Sequence, residues 1–186
     1  QQFLAGGFLG VDIFFVISGF LITSIIMSEF ERSRKFSLIN FYERRIRRLL
    51  PALLTVILVS LPFAWQLMLP AQLVDFSKSI LSTLAFGSNF YWYATLQEYG
   101  AESALLKPFL HTWTLAVEEQ FYIFYPVILL VIYKWYRKHA IVLLMTGLLL
   151  SLQFAEIATP HNPSFSFYML PSRFWELLAG GVLANL

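Results

Sequence analysis

Four arginines are clustered at the edge of a long apolar segment. Arg44, Arg45, Arg47 and Arg48 lie in the stretch NFYERRIRRLLPALLTVILVS, and no charged residue occurs at positions 51–66. Arg45 and Arg48 are three positions apart and share one helical face. A guanidinium is a planar fork of donors that suits phosphate oxygens, so this pair could bind a cytoplasmic acyl-CoA or nucleotide. An equally strong alternative is an anchor that meets anionic lipid head groups on the cytoplasmic side.

A histidine and two adjacent carboxylates occur in the stretch FLHTWTLAVEEQFYIFYP. His111 and Glu118 face the same way if the helix begins early, and a carboxylate that orients an imidazole makes a general-base pair. The alternative places Glu118 and Glu119 in the first helical turn, where the dipole favours them, and leaves His111 as an interfacial residue. The two readings weigh equally, although paired carboxylates in an apolar context favour function.

A third charged group lies in the stretch PSRFWELLAGG. Arg173 and Glu176 have i,i+3 spacing, which predicts an ion pair, and Gly180 and Gly181 permit close helix contact. A structural clamp is the favoured role. Asp12 is a lone acid in the first apolar segment, and it is either interfacial or an inward partner for an arginine such as Arg173.

The composition indicates a membrane protein. The chain is 58% hydrophobic and 13% charged, with a mean hydropathy of +0.67, whereas soluble domains carry about 25% charged residues. The chain contains no cysteine, which excludes a disulfide framework and a Cys-rich metal site, and we expect no metal. The one basic cluster is flanked by apolar segments, which argues against nucleic-acid binding. The chain has no G-x-S-x-G, P-loop or H-E-x-x-H motif.

About five apolar segments are long enough to cross a bilayer, which needs about 20 helical residues. They cover 7–27, 52–69, 114–133, 141–158 and 174 onward. The weaker segment at 76–94 contains several Ser and Asn residues and is predicted to be re-entrant or interfacial. The expected fold class is therefore an all-α bundle of transmembrane helices.

The orientation follows from the distribution of Lys and Arg near the ends of the spans. The basic segments at 32–48 and 133–140 are expected to face the cytoplasm. The loops at 70–113 and 159–173 then lie outside. The predicted location is the cytoplasmic (inner) membrane, with the basic loop 32–48 inside and membrane lipids as partners.

Four ordered motifs resemble the acyltransferase-3 family. They are GFLGVDIFFVISGFLIT, FYERRIRRLLPALL, FLHTWTLAVEEQFYIFYP and SRFWELLAGGVLA. This family comprises multi-span membrane O-acyltransferases, including bacterial O-antigen and peptidoglycan-type O-acetylases. The resemblance covers nearly the whole chain, so residues 1–186 are interpreted as a partial acyltransferase-3 membrane domain.

The resemblance implies transfer of an acyl group, notably acetyl, from a cytoplasmic acyl-CoA to a sugar hydroxyl of an envelope polysaccharide or glycoside. The R-x-x-R element of the family, linked to handling of the acyl donor, maps onto Arg45 and Arg48. The HTW(S/T)LAVE element maps onto His111, Thr112, Trp113 and Glu118, and the R-F-W-E element maps onto Arg173 and Glu176. We predict His111 and Glu118 as catalytic residues.

The principal histidine of the family belongs to a span that precedes GFLGVDIFF. This span is expected upstream of residue 1, so the chain is interpreted as a fragment that is inactive alone. A transporter or flippase for a glycan or lipid precursor is the alternative, with Asp12, Glu118 and Arg173 lining a polar path. A weaker alternative is a non-catalytic scaffold whose basic loop binds anionic lipid.

Overall fold

The computed structural model describes residues 7–33, 36–96 and 107–186, and these ranges are almost entirely helical. They contain no β-strand, which confirms the all-α prediction. A 3-10 turn at Arg137–His139 precedes the sixth helix. The α-helices of the described ranges are α1 (Gly7–Ser33), α2 (Leu38–Leu67), α3 (Pro70–Leu84), α4 (Ser88–Thr95), α5 (Thr112–Trp135), α6 (Ala140–His161), α7 (Pro163–Tyr168) and α8 (Leu170–Leu183).

Helices α1, α2, α5 and α6 provide the four segments that are long and apolar enough to cross a membrane. These are Leu9–Arg32, Leu38–Leu67, Thr112–Trp135 and Arg137–His161. They coincide with four of the predicted spans, and α8 begins the fifth. Large apolar side chains such as Leu58, Phe63, Val142 and Leu150 are exposed on the outer faces of α2 and α6. A surface of this kind suits hydrocarbon, where the helix already satisfies its own backbone groups.

The basic segment predicted as a loop over 32–48 is mostly helical, which corrects that prediction. α2 begins at Leu38, after Ser37, whose Oγ accepts a hydrogen bond from the backbone N of Asn40 at 3.3 Å. Serine is a favoured N-cap and arginine is a good helix former, so the arginines continue the helix. The 30 residues of α2 rise about 45 Å, more than the bilayer core of about 30 Å. The arginine cluster therefore occupies the first turns of a membrane-crossing helix.

The segment at 76–94 contains the end of α3, a turn and α4. Phe86 has a φ of 51°, a left-handed conformation that ends the regular helix before Gly87. With 15 and 8 residues, α3 and α4 are each shorter than the roughly 20 residues that a crossing requires. The interrupted pair fits the prediction of a re-entrant or interfacial segment.

Helix α8 packs along both α1 and α6. A Cβ placed on Gly180 would lie 1.9 Å from the carbonyl oxygen of Val16, and one on Gly19 would lie 1.9 Å from the carbonyl oxygen of Leu177. The backbones of α1 and α8 can approach this closely because both positions lack a side chain. The predicted close helix contact is thus confirmed at Gly180, and it sets the position of α1 relative to α8.

Candidate functional site

A cavity of about 560 Å³ lies between α1, α2 and α5. Most of its lining is apolar, and its polar lining side chains are Ser18, Arg44, Arg45, Arg48, Glu118 and Tyr122. A second cavity of about 570 Å³ lies between α2 and α3, and no charged side chain is among its described lining residues. Because acid–base chemistry and phosphate binding need ionisable groups, the first cavity is the candidate site.

Arg45 is held in place by two contacts on the cavity wall. Its Nη2 donates to Glu119 Oε1 at 2.9 Å, and its guanidinium carbon lies 3.4 Å from the centroid of the Tyr122 ring. Stacking of this kind orients the planar guanidinium. Its Nε is buried and has no hydrogen-bond partner in the described structure. The guanidinium of Arg45 is therefore fixed at the cavity wall, with one buried donor unpaired among the residues that the structure describes.

The other three arginines differ in their ion pairing. Arg44 and Arg47 pair with glutamates at 2.9 and 2.6 Å. Arg48 is exposed and forms no ion pair with the part of the chain that the structure describes. Arg45 and Arg48 both line the cavity, which confirms the shared face predicted from their spacing. Arg44 also lines it, whereas Arg47 lies outside the lining.

Glu118 is buried in contact with two hydroxyl groups. Its Oε1 accepts hydrogen bonds from Ser18 Oγ and Tyr122 Oη, and these two oxygens also contact each other. Ser18 is on α1, and Tyr122 is one turn after Glu118 on α5. We call Ser18, Arg45, Glu118 and Tyr122 the cavity cluster. A carboxylate that accepts from a hydroxyl is arranged as a general base.

His111 lies apart from this cluster. It immediately precedes α5, its side chain is exposed, and its ring stacks on Phe109 at a centroid distance of 6.3 Å. Glu118 is seven positions after His111, which is about 10 Å along a helix axis. The structure does not bring the two side chains together as a general-base pair. Glu118 instead accepts hydrogen bonds from Ser18 and Tyr122. The catalytic role of each remains a prediction.

Thr112 and Trp113, which follow His111 in the same motif, hold the start of α5 in place. Thr112 Oγ1 and Thr83 Oγ1 are 2.9 Å apart, and Ser88 Oγ donates to the carbonyl oxygen of Thr112 at 2.8 Å. The Trp113 ring packs against Phe167 with centroids 4.7 Å apart. These contacts join α5 to α3, α4 and α7. They hold Glu118 at its depth in the bundle, two turns further along.

A second group of charges joins α1 to α8. Arg173 Nη1 donates to Asp12 Oδ1 at 3.0 Å and to Glu176 Oε1 at 2.7 Å, and its Nε donates to the carbonyl oxygen of Phe167 at 3.3 Å. We call Asp12, Arg173 and Glu176 the ion cluster. The predicted Arg173–Glu176 pair is confirmed, and of the two alternatives for Asp12 the structure selects the arginine partner. Glu176 is 0% exposed, so its pair with Arg173 through Oε1 lies inside the protein.

Comparison with known proteins identifies the family. The family described as "Acyltransferase domain" matches residues 1–186. This chain belongs to that acyltransferase family. Its helices and its family together make it part of a multi-pass membrane protein.

Three relatives show what share of a related protein this chain covers. The O-acetyltransferase OatA of Staphylococcus aureus is 35% identical over 190 residues, which cover 98% of this chain and 30% of that protein. The peptidoglycan O-acetyltransferase OatA of Listeria monocytogenes is 34% identical over 183 residues, with coverages of 96% and 29%. An uncharacterised protein of Haemophilus influenzae is 40% identical over 185 residues, with coverages of 94% and 73%. The chain thus spans about 30% of the OatA proteins, and no solved structure matches it.

Two members of the cavity cluster in this acyltransferase chain were not predicted as site residues. Tyr122 is four positions after Glu118, and this i,i+4 spacing was a usable signal that both share one helical face. Ser18 had no such signal, because its partner is 100 positions away in the sequence. Within the described ranges, no group of three or more His, Asp, Glu or Cys residues is placed to bind a metal ion.

Proposed function

We propose that the whole protein transfers an acyl group, notably acetyl, from a cytoplasmic acyl-CoA to a sugar hydroxyl of an envelope polysaccharide or glycoside. This chain would supply the donor site and part of the acid–base machinery. The observation that carries the proposal is the combination, in one largely apolar cavity, of arginine donors with a buried carboxylate that accepts from a hydroxyl. The names of the two OatA relatives support acetyl as the group transferred.

Arg45 and Arg48 would bind the phosphates of the donor. Coenzyme A carries several phosphate groups, and charge-assisted hydrogen bonds from arginine are among the strongest in proteins. Both arginines line the cavity, and Arg48 has no ion pair within the described residues. The apolar wall, with side chains such as Ile17 and Leu21, suits the uncharged arm and the acyl group of the donor. The residues present therefore fit an acyl-CoA.

Glu118 would act as the general base. Transfer to an alcohol requires that the attacking hydroxyl lose its proton, and a carboxylate in hydrogen-bond contact with a hydroxyl can accept it. The histidine that the resemblance places upstream of residue 1 would add to this machinery. His111 stays a candidate catalytic residue, because its exposed position at the start of α5 leaves it accessible to an acceptor.

The acceptor would be a carbohydrate of the cell envelope. The Listeria monocytogenes relative is named for peptidoglycan, a cell-wall polysaccharide, and this supports a polysaccharide acceptor. The arginine-rich start of α2 would face the cytoplasm by the positive-inside rule, and the protein would reside in the cytoplasmic membrane among its lipids. Donor and acceptor would then reach the protein from opposite sides.

Binding of acetyl-CoA tests the donor site. We would measure it by calorimetry on the full-length protein in lipid nanodiscs, comparing Arg45→Ala and Arg48→Ala with Arg47→Ala. A hydrogen bond to a charged group contributes about 1.5–3 kcal/mol, so each cavity variant is expected to bind about ten- to a hundredfold more weakly. Arg47→Ala is the matched control, because Arg47 pairs with Glu43 outside the cavity lining.

Wild-type affinity in both cavity variants would overturn the donor site. An absence of acetyl-CoA binding by the wild-type protein would instead favour the alternative of a transporter or flippase that performs no chemistry.

A further inference from the structure

Ser18 differs from the other hydroxyl side chains described on α1. Thr23, Ser24 and Ser28 donate to carbonyl oxygens three or four residues earlier in the same helix, at distances of 2.7 to 3.0 Å. Such back-bonding is the usual way for a helix to satisfy a buried hydroxyl. Ser18 donates instead to the carboxylate of Glu118 on α5. Its oxygen is therefore aligned with a base and not with its own helix.

Glu118 does not need Ser18 for its own hydrogen bonding. Tyr122 Oη already donates to the same Oε1 atom that Ser18 contacts. The tyrosine is fixed in turn by the guanidinium of Arg45 stacked on its ring. The hydrogen bonding of Glu118 and Tyr122 thus does not require Ser18.

Ser18 also lines the cavity that the acyl donor would occupy. It lines the same cavity as Arg45 and Arg48, and its surroundings there are mostly apolar. A serine is a weak nucleophile alone, and contact with a general base activates it. The cavity therefore contains a nucleophile, its base and phosphate-binding cations.

Ser18 is near the middle of α1, a helix that is long and apolar enough to cross a membrane. It lies 11 residues after Gly7 and 15 residues before Ser33, the ends of α1. At 1.5 Å per residue, these separations are about 16 and 22 Å. A group held here is within reach of substrates that arrive from opposite sides and never meet.

We propose that Ser18 carries the acyl group as an ester between donor and acceptor, an inference that rests on the function proposed above. In the first half, Ser18 Oγ gives its proton to Glu118 and bonds to the thioester carbonyl carbon. The carbon–sulfur bond breaks, and the coenzyme A thiolate leaves and takes up that proton.

In the second half, a sugar hydroxyl gives its proton to Glu118, and its oxygen bonds to the acyl carbon. The bond from that carbon to Ser18 Oγ breaks, and Oγ regains the proton. The sum of the two halves is acyl-CoA plus alcohol giving coenzyme A plus ester, so atoms and charge balance without a further reactant.

Covalent labelling tests this intermediate. Full-length protein in nanodiscs is incubated with radiolabelled acetyl-CoA and no acceptor, denatured, and assayed for retained label and for the acetylated peptide by mass spectrometry. We expect label on the α1 peptide of the wild type and background label in Ser18→Ala. Thr23→Val is the matched control, because Thr23 is also buried on α1 and pairs with Tyr125 at 2.7 Å. It should label like the wild type.

Ser18→Cys gives a chemical signature that a structural role would not. Its label would be a thioester, which neutral hydroxylamine cleaves, whereas the wild-type oxygen ester requires alkaline hydroxylamine. Acetyl-CoA binding, measured on the same samples, reports whether each variant is folded.

Three results would overturn the proposal. Label retained by a folded Ser18→Ala would place the acyl group elsewhere. A wild type that binds acetyl-CoA and transfers acetyl without ever retaining label would indicate direct transfer. In both cases the proposed function stands. A wild type that binds no acetyl-CoA would remove the proposed function and the intermediate together.

Discussion

The cavity cluster and the ion cluster each contain an arginine, a buried glutamate and one residue of α1, yet their surroundings differ. Asp12 and Ser18 are six residues apart on α1, a rise of about 9 Å. In the ion cluster, Arg173 donates to two carboxylates and a carbonyl oxygen where α1 and α8 are in backbone contact. The cavity cluster instead lines a space of about 560 Å³. Close packing makes buried charge structural, whereas an adjoining cavity leaves it available for a ligand.

Removing Arg173 should have the largest effect on stability. Arg173→Met leaves Asp12 and the fully buried Glu176 without their cation, and breaking a buried ion pair costs about 3–5 kcal/mol. We expect a loss of this size in the free energy of unfolding, measured by denaturant titration in detergent micelles. Arg137→Met is the control, since Arg137 and Glu31 form an exposed pair of about 0–1 kcal/mol. Equal losses in the two variants would show that the ion cluster is not structural.

Neutralising Glu118 should affect the chemistry and spare the fold. Glu118→Gln keeps an oxygen that can accept from Ser18 and Tyr122 but removes the base, so acyl transfer should slow by about 10²–10⁴-fold. Glu176→Gln is the matched buried carboxylate, and its transfer rate per folded molecule should equal that of the wild type. The rates are measured as acetyl release from acetyl-CoA in the presence of acceptor. If Glu176→Gln slowed transfer as much as Glu118→Gln, the division between the two clusters would be wrong.

Adding a methyl group at the α1–α8 contact should have an intermediate effect. Gly180→Ala would place a Cβ 1.9 Å from the carbonyl oxygen of Val16, so the helices must separate at a cost of about 1–3 kcal/mol. Gly10→Ala should be neutral or stabilising, because no atom lies within 4 Å of a Cβ there. Thermal unfolding of both variants measures the difference. A fully stable Gly180→Ala would contradict the close approach that supports the ion cluster.

The smallest effect is expected outside both clusters. Arg47→Ala removes an exposed i,i+4 pair with Glu43, which contributes about 0.3–0.5 kcal/mol. We expect a loss of this size in denaturant titration, with unchanged acetyl-CoA binding. Weaker binding in this variant would extend the donor site to the outer face of α2.

Local spacing was enough to predict part of each cluster. The three-residue intervals of Arg45 with Arg48 and of Arg173 with Glu176 correctly predicted a shared helical face and an ion pair. Helical periodicity is a local property, so it can be read without knowledge of the tertiary structure. The same reasoning paired His111 with Glu118, but seven positions span about 10 Å along a helix. The structure leaves His111 exposed against Phe109.

Contacts between distant segments were beyond such reasoning. Asp12 and Arg173 are 161 residues apart in the chain. They pair because the glycine contact brings α1 and α8 together. Ser18 is an unremarkable residue of an apolar helix until α5 places Glu118 against it. Helical spacing within α1 does not distinguish Ser18 from Ser24 or Ser28, whose hydroxyls bond to their own helix, although Ser18 alone of the three lies in the motif at 7–23.

The sequence by itself determined that the chain is a helical membrane domain, which segments can cross the bilayer, and which charges share a helical face. These properties follow from hydrophobicity and from the helical repeat, both of which act over a few turns. Only the tertiary structure decided which charges are closed in by packing and which border a cavity. That outcome depends on how closely α1 approaches α8 and how much space remains between α1, α2 and α5, because side-chain packing between distant segments sets both.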